Sequence, residues 1–161
     1  MLHVIKIRID PFLSKETAEE LGVELVSLEE LFERAISVSN HLANNPRTVG
    51  MLNGALFSRM RENAVFINTG RGAQVVEQDL ARVLAERPDL TALLDVTFPE
   101  PPEAGHPFYS LPNCILSPHL AGSFGLEVGR MGDYMRDELF RYLKGAHCPY
   151  EVTLDMLETM A

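Results

Sequence analysis

Three side chains in this sequence combine anion recognition with proton transfer, and each stands just beyond an apolar run. Arg71 follows Val65-Phe66-Ile67-Asn68 and is bracketed by Gly70 and Gly72. A guanidinium is a rigid fork of donors that grips a carboxylate in two places at once. The glycines let the backbone turn tightly and come close to a ligand. Glu100 lies shortly after Ala92-Leu93-Leu94-Asp95-Val96, and His119 directly follows Cys114-Ile115-Leu116-Ser117-Pro118. An imidazole titrates near pH 6.5 when unperturbed, which suits a group that must both give and take a proton. A carboxylate beside it would orient the ring and favour its charged form. In open α/β sheets ligands bind beyond the carboxyl ends of the strands, which is where all three residues fall. Taken singly, Glu100 reads equally well as loop surface, and His119 as a cap for the following helix.

The wording around the three residues narrows the reading. INTGRG, LLDVTFPEP and SPHLAG occur in that order, and they resemble the I-N-T-A-R-G, L-D-V-F-x-x-E-P and T-P-H-x-A-G phrases of the D-2-hydroxyacid dehydrogenases. The likeness covers nearly the whole chain, and three ordered motifs are far more specific than one. The resemblance implies hydride transfer between NAD(H) and a 2-hydroxy or 2-oxo acid. It assigns His119 as acid/base, Glu100 as the group that orients it, and Arg71 as the carboxylate anchor that helps polarise the carbonyl. It places Asp95 at the nicotinamide end and the backbone of Thr69, Gly70 and Arg71 against the cofactor. His119, Ala121 and Gly122 line the same site. The family phrase S-L-H-x-P stands here as Ser39-Asn40-His41-Leu42-Ala43, which puts the His41–Leu42 backbone beside the cofactor. The proline is missing, and the His41 ring reads as well as a polar group satisfied by its own loop.

Composition sets the outer bounds. The chain has 161 residues, 46% of them hydrophobic, with a formal net charge of −9 and a mean hydropathy of −0.01. That length supports one domain with a proper core, and that balance indicates a globular chain rather than a disordered one. An acidic surface argues against nucleic acid or an anionic membrane as partner. No apolar run reaches the roughly 18 residues of a membrane helix, and the N-terminus lacks a signal-peptide layout. Cys114 and Cys148 make no disulfide framework and no zinc spacing. A reducing cytoplasm is the compartment these features suggest.

The elements that must position the site alternate. Leu2–Ile9 reads as a strand closed by Asp10-Pro11. An acid at the end of the second strand of a dinucleotide fold holds the adenosine ribose hydroxyls and favours NAD over NADP; Asp before Pro is also ordinary turn chemistry. A helix over Ser14–Leu21 stops at Gly22, and Val23–Val26 is a short strand. Ser27 with Glu30 is a capping box for a helix over Leu28–Arg34. Ile36–Ser39 is the next strand. Asn53 caps a helix over Gly54–Met60, and the strand through Asn68 follows. Leu80, Val83 and Leu84 share one face of a helix over Glu77–Glu86, ended by Pro88. Leu90–Val96 is a strand, Phe98–Pro112 a loop and Cys114–Leu116 the last strand. Ser123 is expected to cap a helix of about 30 Å over Phe124–Lys144. Its stripe of Met131, Tyr134, Met135, Leu139, Tyr142 and Leu143 belongs to a core or an interface.

The expected class is therefore α/β, an incomplete Rossmann-like parallel sheet lacking its first βα unit and carrying a long C-terminal helix. No G-x-G-x-x-G turn occurs, although that turn should lie about 20 residues ahead of the ribose-binding acid. Residues 1–145 form the partial NAD-binding domain. Residues 146–161 form a tail that in relatives returns to the substrate domain, and Leu154, Met156, Leu157 and Met160 in it need a partner surface. In the strand order 3-2-1-4-5-6 the missing strand is central. The strands at Leu2–Ile9 and Ile36–Ser39 then either pair directly or leave edges that recruit a homo-oligomer or a missing N-terminal half. Two functions fit: an oxidoreductase half inactive as the isolated chain, or a non-catalytic module that keeps the fold without turnover. No metal is implied.

Overall fold

The computed structural model describes residues 6–8 and 14–158. Asp10 and Met160 lie outside the described residues. Two parallel sheets form. In the smaller, β1 (Lys6–Arg8) pairs with β2 (Val23–Leu25) across α1 (Lys15–Glu20). In the larger, β3 (Ser37–Asn40), β4 (Val65–Asn68), β5 (Thr91–Leu94) and β6 (Cys114–Leu116) lie side by side in chain order. Helices α2 (Leu28–Arg34), α3 (Gly54–Phe57) and α4 (Glu77–Glu86) make the crossovers, and α5 (Leu126–Leu143) follows the last strand. β1 and β3 belong to different sheets, so among the described residues the expected direct pairing of these two strands is not made.

Local chemistry explains most boundaries. Ser14 Oγ accepts the Thr17 N–H at the start of α1, and Gly22 leaves that helix with φ of 63°, a conformation glycine adopts without steric cost. The Ser27–Glu30 capping box forms in both directions. Asn53 Oδ1 accepts the N–H groups of Ala55 and Leu56. Four expectations need correction. α3 ends at Phe57 rather than Met60, because the N–H groups of Arg59 and Met60 tighten into i→i−3 bonds to Leu56 and Phe57 O, after the Ser58 hydroxyl has donated to Gly54 O at 2.7 Å. β5 is Thr91–Leu94 rather than Leu90–Val96: the Asp95 N–H still reaches Asn68 O at 3.0 Å, but its carbonyl is taken by the His119 N–H as the chain turns, with Asp95 and Val96 staying buried. β3 runs one residue later than expected, ending at Asn40 opposite Asn68. Ser123 does not cap α5: Gly125 does, at φ of 60° and with no side-chain hydrogen bond.

The core lies on one face of the larger sheet. Val38, Phe66, Ala92 and Leu94 point into it, and Phe32, Leu56, Phe57, Leu80, Val83 and Leu84 cover them from α2, α3 and α4. Three rings meet at its centre: Phe57 contacts Phe66 edge-on at 5.0 Å and Phe32 at 5.7 Å, a geometry that adds to plain burial. The other face is half open: Ile67 and Leu93 are half-buried and Ile115 is more than half exposed. No residue of α5 is buried, so its apolar stripe is not core in this chain.

Candidate active site

β4, β5 and β6 end level with one another, Asn68 opposite Leu94 and Leu94 opposite Leu116. The segments carrying Arg71, Asp95, Glu100 and His119 therefore leave the sheet from the same edge, where parallel strands present their carboxyl ends. His119 Nδ1 lies 2.7 Å from Glu100 Oε1. A carboxylate accepts and cannot donate, so Nδ1 carries the proton and Nε2 is left for a reacting group. Both side chains are nearly half exposed, 45% and 42%, as a pair facing a ligand should be.

Asp95 builds the turn that presents the histidine. Its Oδ1 accepts the Ser117 hydroxyl at 2.5 Å and the Leu120 N–H at 2.8 Å, and its Oδ2 accepts the Ala121 N–H at 2.8 Å. Its carbonyl accepts the His119 N–H at 3.1 Å. Within this cage His119 takes φ of 53°, a left-handed conformation that costs a non-glycine residue about 1–2 kcal/mol. Burial pushes the Asp95 carboxyl up, but the donors from Ser117, Ala121 and Leu120 and the nearby His119 outweigh it and hold the group below its ordinary range.

Arg71 is exposed, and its Nη1 donates to Gly70 O at 2.7 Å. The Arg71 segment is set by three buried carboxamides. Asn40 Nδ2 donates to Asn68 Oδ1 at 3.0 Å and to Gln74 Oε1 at 2.6 Å. Gln74 Nε2 donates to the carbonyls of Leu42 and Ala43 at 2.7 and 3.0 Å, and its Oε1 accepts the Arg71 N–H at 3.3 Å. Asn68 accepts the Gly70 N–H, and Asn40 Oδ1 the Leu42 N–H. A Cβ on Gly70 would stand 2.9 Å from Asn40 Nδ2. The loop at His41–Ala43 and the loop at Thr69–Arg71 are thus fixed in register with one another. The His41 ring is occupied within the same loops, Nε2 being 2.8 Å from Ser39 Oγ and Nδ1 3.4 Å from Thr69 Oγ1.

A dinucleotide fits this edge at one end. Asp95 Oδ2 keeps a lone pair beyond the Ala121 bond, which a carboxamide N–H can use, and the Cβ direction of Gly122 is open, with no heavy atom within 4 Å. At the pyrophosphate end the sequence offers no glycine-rich turn. Among the described residues no group of three His, Cys, Asp or Glu side chains could hold a metal ion, and no helix is long and apolar enough to cross a membrane.

A parallel sheet with crossover helices and a candidate site beyond the strands' carboxyl ends defines a Rossmann-like α/β protein. Within that class, residues 3–121 match the family described as D-isomer specific 2-hydroxyacid dehydrogenase, NAD binding domain, and the chain belongs to that family. It is 30% identical over 157 residues to a D-3-phosphoglycerate dehydrogenase of Archaeoglobus fulgidus, a match over 98% of this chain and 30% of that protein. It is 35% identical over 139 residues to the glyoxylate reductase/hydroxypyruvate reductase of Homo sapiens, over 86% of this chain and 42% of the relative. The solved structure of the TT0316 protein from Thermus thermophilus superposes with a TM-score of 0.78 at 33% identity, covering 91% of this chain and 45% of that one. The chain thus spans less than half the length of each of these relatives.

Sequence reasoning did not pick out Asn40, Gln74 or Ser117. Two asparagines ending neighbouring strands were the available signal for the carboxamide group, because a polar residue on the buried face of a strand needs a partner. Gln74 sits in a 3₁₀ turn over Gly72–Gln74 that no periodicity announced.

Proposed function

We propose that this chain carries the proton-transfer and acid-binding half of an NAD-dependent dehydrogenase acting on a 2-hydroxy or 2-oxo acid. The observation that supports it best is the 2.7 Å contact of His119 Nδ1 with Glu100 Oε1, at the same sheet edge as an exposed guanidinium. The nicotinamide, when bound, supplies or accepts the hydride. Arg71 binds the acid's carboxylate and sets the distance of its carbonyl from the imidazole. In reduction, Nε2 of protonated His119 gives its proton to the carbonyl oxygen as the alcohol forms; in oxidation, neutral His119 takes it back. Glu100 stabilises the charged ring and fixes which nitrogen faces the substrate. Asp95 keeps the His119 turn in its left-handed conformation and offers its remaining lone pair to the nicotinamide carboxamide. Asp10 takes the ribose hydroxyls and favours NAD.

The isolated chain is proposed not to turn over, because no residues here supply the usual pyrophosphate anchor, a row of backbone N–H groups at a glycine-rich helix start. Edges of β1 and β3 that are unpaired among the described residues, together with the exposed α5 stripe, suit a homo-oligomer or a complementary N-terminal half. A chimera in which a relative's N-terminal half precedes this chain tests the reading. NADH-dependent reduction of a 2-oxo acid should appear. His119→Ala should lower kcat at least 100-fold, the lower end of the usual contribution of a positioned acid/base, and Arg71→Ala should chiefly raise KM. An unimpaired His119→Ala chimera would remove the histidine from the mechanism.

A further inference from the structure

The loop that carries Glu100 is tied near both ends to one carboxylate that touches none of the reacting groups. Glu77 is the first residue of α4. Its Oε1 accepts the Phe98 N–H at 2.8 Å, two residues before Glu100, and its Oε2 stands 3.7 Å from His106 Nε2. Both side chains are well covered, 10% exposed for Glu77 and 17% for His106. His106 is itself locked. The Phe108 N–H donates to its Nδ1 at 3.3 Å, and its ring lies 4.4 Å from that of buried Phe108. An Nδ1 that accepts leaves Nε2 to carry the proton in the neutral ring, and Nε2 is the nitrogen nearest Glu77.

The opposite side of the loop's root is closed by backbone. A Cβ on Gly72 would collide with the Thr97 carbonyl carbon and stand 2.6 Å from the Phe98 nitrogen, so the turn after Arg71 presses directly on the residues that Glu77 holds. Within the loop, the Thr97 hydroxyl donates to Pro99 O at 3.0 Å and the Tyr109 hydroxyl to Pro102 O at 3.1 Å. The core makes no use of the Glu77 carboxylate, since α4 packs through Leu80, Ala81, Val83 and Leu84. Burial pushes the Glu77 carboxyl up, against the lowering effect of the Phe98 N–H, so the group stands there at a cost.

We infer that Glu77 is a positioning residue for the Glu100–His119 pair: by fixing Phe98 and His106 it sets where Glu100 meets His119 Nδ1, and so which imidazole nitrogen faces the substrate. The functional sense of this rests on His119 as the acid/base, but the test needs no turnover. Long-range nitrogen–proton NMR of the full chain, at a pH where the ring is neutral, reports the His119 tautomer directly. The unsubstituted chain should show the Nδ1–H form, and Glu100→Ala should return the ring to the Nε2–H form that a free imidazole prefers. Glu77→Ala should do the same without touching either partner. Glu77→Asp should follow it, because the shorter acid cannot span to Phe98 yet keeps a negative charge in the first turn of α4, which favours folding. Glu77→Gln keeps an acceptor for the Phe98 N–H and should hold the Nδ1–H form. Folded Glu77→Ala or Glu77→Asp chains that retain the Nδ1–H tautomer would overturn the inference, as would a Glu77→Gln chain that shifts as far as Glu77→Ala. An unsubstituted chain without the Nδ1–H form would instead overturn the reading of the pair itself, so the two failures are distinguishable.

Discussion

The two faces of the β3–β6 sheet fold on different terms. On one, three helices bury Phe66, Ala92 and Leu94 almost completely, and three aromatic rings interlock. On the other, Ile67 and Leu93 are half-buried and Ile115 stands largely in solvent, and on α5 the side chains of Met131, Met135, Leu139 and Leu143 are each more than half exposed. Arg71, Glu100 and His119 are held by the strand ends and polar contacts of the first arrangement. The geometry of the site therefore does not depend on the open face or α5 being covered.

The contrast should be largest in core truncation. Phe66→Ala removes the ring at the centre of the cluster and should cost about 3–5 kcal/mol in chemical denaturation, with part of that cost coming from the cavity left behind. Leu139→Ala, on an open stretch of α5, should stay within about 0.5 kcal/mol in the monomer. Equal losses at the two positions would break the comparison and show that α5 packs on the core in solution.

A smaller effect sharpens it at the site. Gln74→Leu takes away one of the two acceptors of Asn40 Nδ2 and the side-chain donor to the Leu42 carbonyl, buried groups whose desolvation then goes partly uncompensated, at a cost of about 1–3 kcal/mol. Asn40→Leu combined with Gln74→Leu replaces both partners by apolar groups and should cost less than the two single changes together, by about 1 kcal/mol in a double-mutant cycle. Strict additivity would mean that the two loops are not registered through this pair.

Much of this architecture was legible beforehand, for identifiable physical reasons. The capping box at Ser27–Glu30, the Asn53 cap and the amphipathic spacing of Leu80, Val83 and Leu84 are local signals, and the elements they mark formed at or close to the expected positions. Arg71, Glu100 and His119 were visible because each follows an apolar strand. What stayed hidden depended on contacts distant in sequence. Asn40 and Gln74 meet only once β3 lies against β4. The cap of α5 was misplaced because Ser123 has the right chemistry, whereas Gly125 takes the backbone conformation the turn requires. Asp10, assigned to the ribose, lies outside the described residues.

The smallest effect concerns the amino-terminal end of the sheet, far from the site. Arg87 beside Asp89 holds that carboxyl down at about 2, below its ordinary 3.8. A depressed carboxylate stabilises the fold fully above its unfolded pKa, and that contribution is lost as pH falls through the folded one. Stability measured by urea midpoint should therefore decline between about pH 4 and pH 2, and Arg87→Ala should flatten that part of the acid limb by lowering the midpoint slightly near neutrality, where the pair contributes fully, and least near pH 2, where it no longer does. An acid limb identical with and without Arg87 would remove the pair from the balance.

The central proposal is that this chain holds the acid–base end of a dehydrogenase site, in a sequence with no G-x-G-x-x-G turn to anchor a pyrophosphate. Calorimetric titration of the purified chain with NADH tests it most directly. The ribose and nicotinamide contacts alone would have to hold a flexible anion at two distant ends, and a net charge of −9 adds no long-range attraction. Binding should be weak, with a dissociation constant of about a millimolar or more, which corresponds to no better than about −4 kcal/mol. A dissociation constant in the low micromolar range would contradict the account and show that other residues of this chain anchor the cofactor.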